Sequence, residues 1–253
     1  MVKIDGKAFS QVILEKIREE HNQLKEKYGK QAGLAVVIVG NNPASQVYVR
    51  NKIKACENVG FYSENIELDE NISEEELLQE IDKLNKNDRI NGILVQLPLP
   101  SHINELKIID SISPEKDVDG FHVANIGKMV IGDETGFISC TPYGIMQLLE
   151  EYKIEIAGKD AVIIGRSNIV GKPMALMLIQ KGATVQVCNS RTKDLRKKLN
   201  DADIIIVAAG VPKLLKKEDV KEGAVVIETV VKDRAKVKTE DWIRLNYVMQ
   251  EYE

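Results

Sequence analysis

Short β-branched runs recur along this chain, and between them the apolar residues switch to helical spacing. Leu34-Ala-Val-Val-Ile-Val39, Asn91-Gly-Ile-Leu-Val-Gln-Leu97, Asp160-Ala-Val-Ile-Ile164, Thr184–Val187, Asp203-Ile-Ile-Ile-Val-Ala-Ala209 and Gly223-Ala-Val-Val-Ile227 read as strands. Phe9, Val12, Ile13, Ile17 and Leu24 keep helical spacing before the first of them. Strands separated by helices must cross over rather than turn back, so the alternation predicts an α/β fold with parallel sheets.

Local signals place the elements. Asn41-Asn-Pro43 is a turn with proline suited to a helix start, and Gly60 is a stop. Ser63–Leu68 suits a short strand, and Ser73-Glu-Glu-Glu76 a capped helix through Leu77, Leu78, Ile81 and Leu84. After Pro98-Leu-Pro100, helical spacing returns at Ile103–Ile109. The polar stretch Ser113–Gly120 marks the expected border between a domain over 1–119 and a second over 120–253. A helix over 140–152 is expected to bridge them. In the second half, β-α-β-α-β-β order predicts a Rossmann-like dinucleotide-binding domain.

Charge and composition narrow the functional classes. The 253 residues carry a net charge of −4, which disfavours sequence-independent binding to nucleic acid. No run approaches the roughly 20 apolar residues that cross a bilayer, and Met1–Lys7 does not resemble a secretion signal, so a cytoplasmic protein with no membrane partner is expected. Cys56, Cys140 and Cys188 are scattered and odd in number, which suits free thiols. With His21, His102 and His122 they form no ligand spacing, and no bound metal is expected.

Two motifs carry chemistry. Tyr48 and Lys52 stand four apart in Pro43–Lys52, so on a helix they share a face, where a phenol and an amine can position and move a proton. The plain alternative is a surface lysine beside a half-buried tyrosine. Gly165-Arg-Ser-Asn-Ile-Val-Gly171 follows a strand and opens a helix, the setting in which backbone N–H groups and helix dipole receive a pyrophosphate. Ser167 takes the place of the usual middle glycine, and a tight turn without ligand is the alternative. The next strand ends in Cys188-Asn-Ser-Arg-Thr-Lys193, with no acid to accept from a ribose 2′-hydroxyl. Hydroxyl and cationic groups there favour NADP over NAD, unless Arg191 and Lys193 only begin a solvated helix. Short-chain dehydrogenases also use Tyr-x-x-x-Lys, but after the glycine loop, whereas here the pair comes first.

The chain resembles the methylenetetrahydrofolate dehydrogenase/cyclohydrolase family. The resemblance rests on Asn42–Lys52, Gly92-Ile-Leu-Val-Gln-Leu-Pro-Leu-Pro100, Pro114-Glu-Lys-Asp-Val-Asp-Gly-Phe-His122, Cys140-Thr-Pro-Tyr-Gly144 and Gly165–Pro173, in family order, and covers residues 1 to about 228. It implies an N-terminal catalytic, folate-binding α/β domain, a C-terminal NADP domain and a cleft between them. It implies oxidation of 5,10-methylenetetrahydrofolate with NADP, hydrolysis of the methenyl product to 10-formyltetrahydrofolate, and a homodimer.

By position, Lys52 matches the family's catalytic lysine, Gln96 the glutamine that holds it, and Tyr48 the tyrosine lining the folate pocket. Asp119 matches the carboxylate that meets the pterin. Gly165, Arg166 and Ser167 match the dinucleotide loop, Ser190 the 2′-phosphate contact, and Val231 a backbone contact to the cofactor. Asp117 reads as turn-forming around Gly120. After Glu228 the chain departs from the family: Thr229-Val-Val-Lys-Asp233 leads to Glu253 without the family's glycine-rich loop. Two readings follow, an active enzyme or a non-catalytic nucleotide-binding or interaction protein on the same fold.

Overall fold

A computed structural model describes residues 4–211 and 214–229. Val231 lies outside the described residues. Two compact units form, one of residues 10–128 and 133–137, the other of residues 1–9, 129–132 and 138–253.

In the first unit, α1 (Gly6–Tyr28) leads to β1 (Gly33–Val39), α2 (Pro43–Val59), β2 (Tyr62–Leu68), α3 (Glu74–Lys86), β3 (Gly92–Val95) and α4 (Glu105–Ser111). The sheet runs β2-β1-β3, all parallel, with Val36 opposite Asn65 on one side and Leu94 on the other. Strand alternation sorts the core. Ala35, Val37 and Val39 face Leu77, Ile81 and Leu84 of α3 and Ile108 of α4, while Val36 and Ile38 cluster with Val49 of α2. A fully buried side chain of this kind contributes about 1.5–3 kcal/mol. α2 begins where Asn42 Oδ1 accepts from the Ala44 and Ser45 amides, and it stops at Gly60, whose φ is 86°. α3 has the expected capping box between Ser73 and Glu76.

The second unit contains α6 (Cys140–Glu151), β4 (Asp160–Ile164), α7 (Gly171–Gln180), β5 (Thr184–Cys188), α8 (Leu195–Leu199), β6 (Ile204–Val207) and β7 (Val225–Glu228). Its parallel sheet runs β5-β4-β6-β7. Ala161 and Ile163 pack with Ile145, Leu148 and Leu149 of α6 and Met174 and Leu178 of α7, and Val162 and Ile164 with Leu199, Ala202 and Leu215. Both sheets are therefore covered on two faces, as the near-continuous apolar strands require.

The division by compactness differs from a border after Asp119. Ile4 is buried in the core cluster of the second unit, and Phe9 packs against that cluster, so residues 4–9 belong there. The first unit continues through Lys128, into α5 (Val123–Ile131), a helix absent from the sequence reading. α6 lies wholly in the second unit, with Ile145 and Leu149 fully buried in its core.

Candidate active site

Gln96, the Gly165–Ser167 turn and Ser190 follow the carboxyl ends of parallel strands, where the chain leaves the sheet and ligand groups are accessible. In the first unit, α2 carries half-buried Tyr48 and Lys52 one turn apart. Gln96 lies one residue past β3, and its amide N–H donates to Val37 O at 2.8 Å, which extends the ladder by one bond. Its side-chain Nε2 donates to Leu97 O at 2.8 Å. That bond fixes which way the carboxamide faces: Oε1 accepts from Lys52 Nζ at 3.3 Å. Lys52 is thus held by a neutral acceptor.

Asp119 completes the group. Burial pushes its carboxyl above the usual carboxylate range; the Lys52 ammonium pulls it down and the Asp117 carboxylate pushes it up. The loop that carries it is tied down on both sides. Lys116 Nζ donates to Leu84 O, Asn85 O and Asn87 O at 3.2, 2.7 and 3.0 Å, capping the last turn of α3. Asn85 accepts from Ser113 N at 2.9 Å and donates to Ser111 O at 2.8 Å. Ile93 N donates to Lys116 O at 2.7 Å, so the loop also borders β3. Asp117 does form the turn, with Gly120 N donating to its carbonyl, but its buried carboxylate also accepts from His122 N at 2.8 Å and Asn125 Nδ2 at 2.9 Å.

Lys116, Asn85 and Asn125 escaped the sequence reading. Lys116 and Asp117 lie inside the Pro114–His122 stretch, so the signal was present for them. Asn125 sits among apolar residues of α5, and only its partners reveal it.

In the second unit the β4–α7 turn is built by close approach. A Cβ on Gly165, which has φ 130°, would fall 2.4 Å from Ala208 O, and one on Gly171 would fall 2.3 Å from Gly165 O. Only glycine lets the chain leave β4, pass the end of β6 and enter α7 this tightly. Ser167 Oγ accepts from Val170 N at 3.1 Å and Gly171 N at 3.4 Å, so the residue in the middle glycine's place caps the loop's own amides. Ser139 Oγ donates to Ile169 O at 2.6 Å and fixes the loop from α6's N-terminal side. Arg166 and Ser190 are exposed. After β5, Asn189–Thr192 forms a turn in which Asn189 Oδ1 accepts from Arg191 N and Thr192 Oγ1 from Asn189 N. The turn contains no carboxylate. A cradle that a Cβ would fill, a helix N-terminus and an acid-free turn beside Arg191 fit a dinucleotide with a 2′-phosphate.

The catalytic-domain description of tetrahydrofolate dehydrogenase/cyclohydrolase matches residues 4–119, and the NAD(P)-binding-domain description of the same family matches residues 139–243. The chain belongs to the tetrahydrofolate dehydrogenase/cyclohydrolase family. Lys52, Gln96 and Asp119 fall in the first match, and the glycine loop, Ser190 and Val231 in the second.

Its relatives are alike over most of their length. The bifunctional protein FolD of a Sulfurihydrogenibium species is 52% identical over 229 residues, which are 90% of this chain and 80% of that one. A crystal structure of the bifunctional FolD methylenetetrahydrofolate dehydrogenase/cyclohydrolase from Campylobacter jejuni is 54% identical, with a TM-score of 0.88 over 89% of this chain and 80% of that one. The methylenetetrahydrofolate dehydrogenase-cyclohydrolase of Trypanosoma brucei, solved with NADP and an inhibitor, is 38% identical, with a TM-score of 0.88 over 93% of this chain and 82% of that one.

Proposed function

We propose that this chain oxidises 5,10-methylenetetrahydrofolate to the 5,10-methenyl compound with NADP⁺ and hydrolyses that product to 10-formyltetrahydrofolate. Family membership supports the pair of reactions. Within the chain, the observation that carries the reading is the Lys52–Gln96 hydrogen bond, with half-buried Asp119 close enough for the Lys52 charge to act on its carboxyl. A non-catalytic protein on the same fold is not favoured, because the likeness to a bifunctional relative spans 90% of the chain.

NADP⁺ supplies the acceptor for the hydride that leaves the methylene carbon. Gly165, Arg166, Ser167 and Ser190 would hold it, the glycines by leaving room for its phosphates and the acid-free turn by tolerating the 2′-phosphate. Oxidation leaves a methenyl cation. Water adds to the methenyl carbon, the bond from that carbon to N5 breaks, N5 takes one proton and a second is released to solvent. Lys52 moves a proton at Nζ in this second step, and Gln96 keeps Nζ in place. Tyr48 lines the same face of α2. Asp119 receives the pterin's amino and ring N–H groups, and those donors favour its ionised form against the effect of burial.

The test is NADP⁺-dependent appearance of methenyl-folate absorbance with purified protein, followed by its decay to the 10-formyl product. Cofactor binding with no turnover would overturn the reading. A homodimer, implied by the family resemblance, and a cytoplasmic location, expected from the sequence, belong to the same proposal. Among the described residues no helix is long and apolar enough to cross a membrane. Light scattering on the purified protein reads the assembly, and a monomeric mass would reject the dimer.

A further inference from the structure

We infer that Asn125 is a positioning residue of the folate site, which with Asp117 clamps the loop that presents Asp119 to the pterin. The inference rests on the function proposed above and adds to it a residue on a separate helix. Asn125 is 1% exposed, on the first turn of α5. Its Nδ2 donates to Pro114 O and to Asp117 Oδ2, both at 2.9 Å, and its Oδ1 accepts from Phe137 N at 3.3 Å. Asp117, 2% exposed, accepts at the same Oδ2 from His122 N at 2.8 Å.

One carboxamide and one carboxylate therefore gather residues 114, 117 and 122, which lie on both sides of Asp119. Only Val118 separates Asp117 from Asp119, and Gly120 N donates back to Asp117 O at 3.2 Å, so freedom at Asp117 passes directly to Asp119. Removing Asn125 Nδ2 leaves a buried carboxylate oxygen with one donor and frees the Pro114 end of the loop, and unmaking a buried hydrogen bond to a charged group is costly. Lys116 anchors the loop to α3, Val118 packs against the cluster around Val36 and Leu94, and the Asn125–Asp117 pair ties the loop to α5. The Asp117 charge also acts on Asp119 directly, in opposition to Lys52.

The experiment uses the full chain, with methylenetetrahydrofolate and NADP⁺ for the first reaction and methenyltetrahydrofolate for the second. Asn125→Ala is expected to raise KM for both folates about tenfold, because a displaced binding group weakens alignment of the whole substrate. The Kd for NADP⁺ should stay at the wild-type value. Asp117→Asn keeps an oxygen that can accept from His122 and Asn125, so it should recover most of the folate KM lost in Asp117→Ala. A brace that serves stability alone would lower the melting temperature and the active fraction while both folate KM values stay fixed, and that result overturns the inference. Equal damage from Asp117→Asn and Asp117→Ala overturns it too. Should Asn125→Ala fail to fold, Asn125→Ser carries the same comparison, since its hydroxyl fits the space but cannot reach both acceptors. Wild-type turnover with unchanged KM values in the variants sinks the clamp alone. Absence of wild-type turnover sinks the proposed function and the clamp with it.

Discussion

The loop carrying Asp119, which runs beside β3 after α4, and the loop from Gly165 to Gly171, which follows β4, are built on opposite principles. The first is held by side chains: a lysine on three carbonyls, an asparagine on a loop carbonyl and a carboxylate, and that carboxylate on two donors. The second is held by the absence of side chains, since glycines permit approaches of 2.3–2.4 Å to a Cβ position. A site that must place a few polar atoms against a pterin needs rigid polar supports. A site that must bring backbone N–H groups to a pyrophosphate needs bare backbone. The two should therefore fail differently when altered.

The largest expected failure is chemical. Lys52→Met keeps the length and most of the apolar stem of the side chain but removes the atom that moves the proton. The cyclohydrolase rate should fall by about 10²–10⁴-fold, the usual yield of a positioned acid or base. NADP⁺ binding should not change, because Lys52 lies outside the glycine loop. Undiminished hydrolysis of methenyltetrahydrofolate by this variant would remove Lys52 from the mechanism.

Next in size is a steric failure confined to the other loop. A methyl group on Gly171 meets Gly165 O at 2.3 Å and Gly165 C at 2.6 Å, both backbone atoms that cannot swing aside. Gly171→Ala should destabilise the protein by about 1–3 kcal/mol and weaken NADP⁺ binding, with the KM for methenyltetrahydrofolate unaltered. Denaturant unfolding and a fluorescence titration with NADPH read the two effects. Loss of folate affinity in this variant, with cofactor affinity retained, would erase the distinction between the loops.

The same contrast explains what was legible in the sequence. The glycine loop and the Tyr48/Lys52 pair were readable because their geometry is local: i to i+4 on one helix, or strand-turn-helix in one stretch. The strands were readable from uninterrupted β-branched runs such as Leu34–Val39, and α3 from its Ser73–Glu76 cap. α5 escaped because its start is capped by His122, whose Nδ1 accepts from Ala124 N at 3.0 Å, outside the usual set of capping residues. α8 was expected from the β-α-β-α-β-β order, but its start after Asp194, at a φ of 52° with no side-chain cap, left no mark of where it begins. Lys116 does its work through α3 carbonyls about 30 residues away, and Asn125 through the Pro114 carbonyl and the Asp117 carboxylate, 11 and 8 residues away. Backbone carbonyls leave no mark on residue type, and such partners appear only once the chain has folded.

A smaller effect separates the loops by pH. Burial raises the Asp119 carboxyl, with Lys52 opposing and Asp117 assisting. In the unfolded chain the group titrates near its ordinary value of about 3.9. Between that value and the higher folded one, the native state binds more protons than the unfolded state, so stability falls as pH rises through this window. Asp119→Asn cannot ionise. The wild type should therefore lose stability relative to Asp119→Asn as pH climbs from about 4, and the loss should level off once the folded carboxyl has ionised. Urea midpoints of both proteins across the range give the difference directly. A difference that does not vary with pH, or one of the opposite sign, would mean that Asp119 gains enough from Lys52 to cancel its burial.

The smallest expected effect decides how far the contrast extends, because Ser167 is a side chain inside the loop built of bare backbone. Its Oγ accepts from Val170 N and Gly171 N, which is the work of a helix cap. If that is its whole part, Ser167→Ala should cost about 1 kcal/mol of stability, as loss of a cap does elsewhere. NADP⁺ affinity should then fall only a few-fold, through a looser α7 start, and Ser167→Gly should behave much the same. If Ser167 instead meets the dinucleotide directly, its hydroxyl must leave those amides when ligand binds. Stability of the free protein would then be little changed by the substitution, while NADP⁺ affinity would drop by about tenfold or more, the range for a lost hydrogen bond to a charged group. Thermal unfolding with and without NADP⁺ separates the cases. A capping serine lowers both melting temperatures by nearly the same amount, whereas a ligand-binding serine lowers chiefly the one measured with cofactor present.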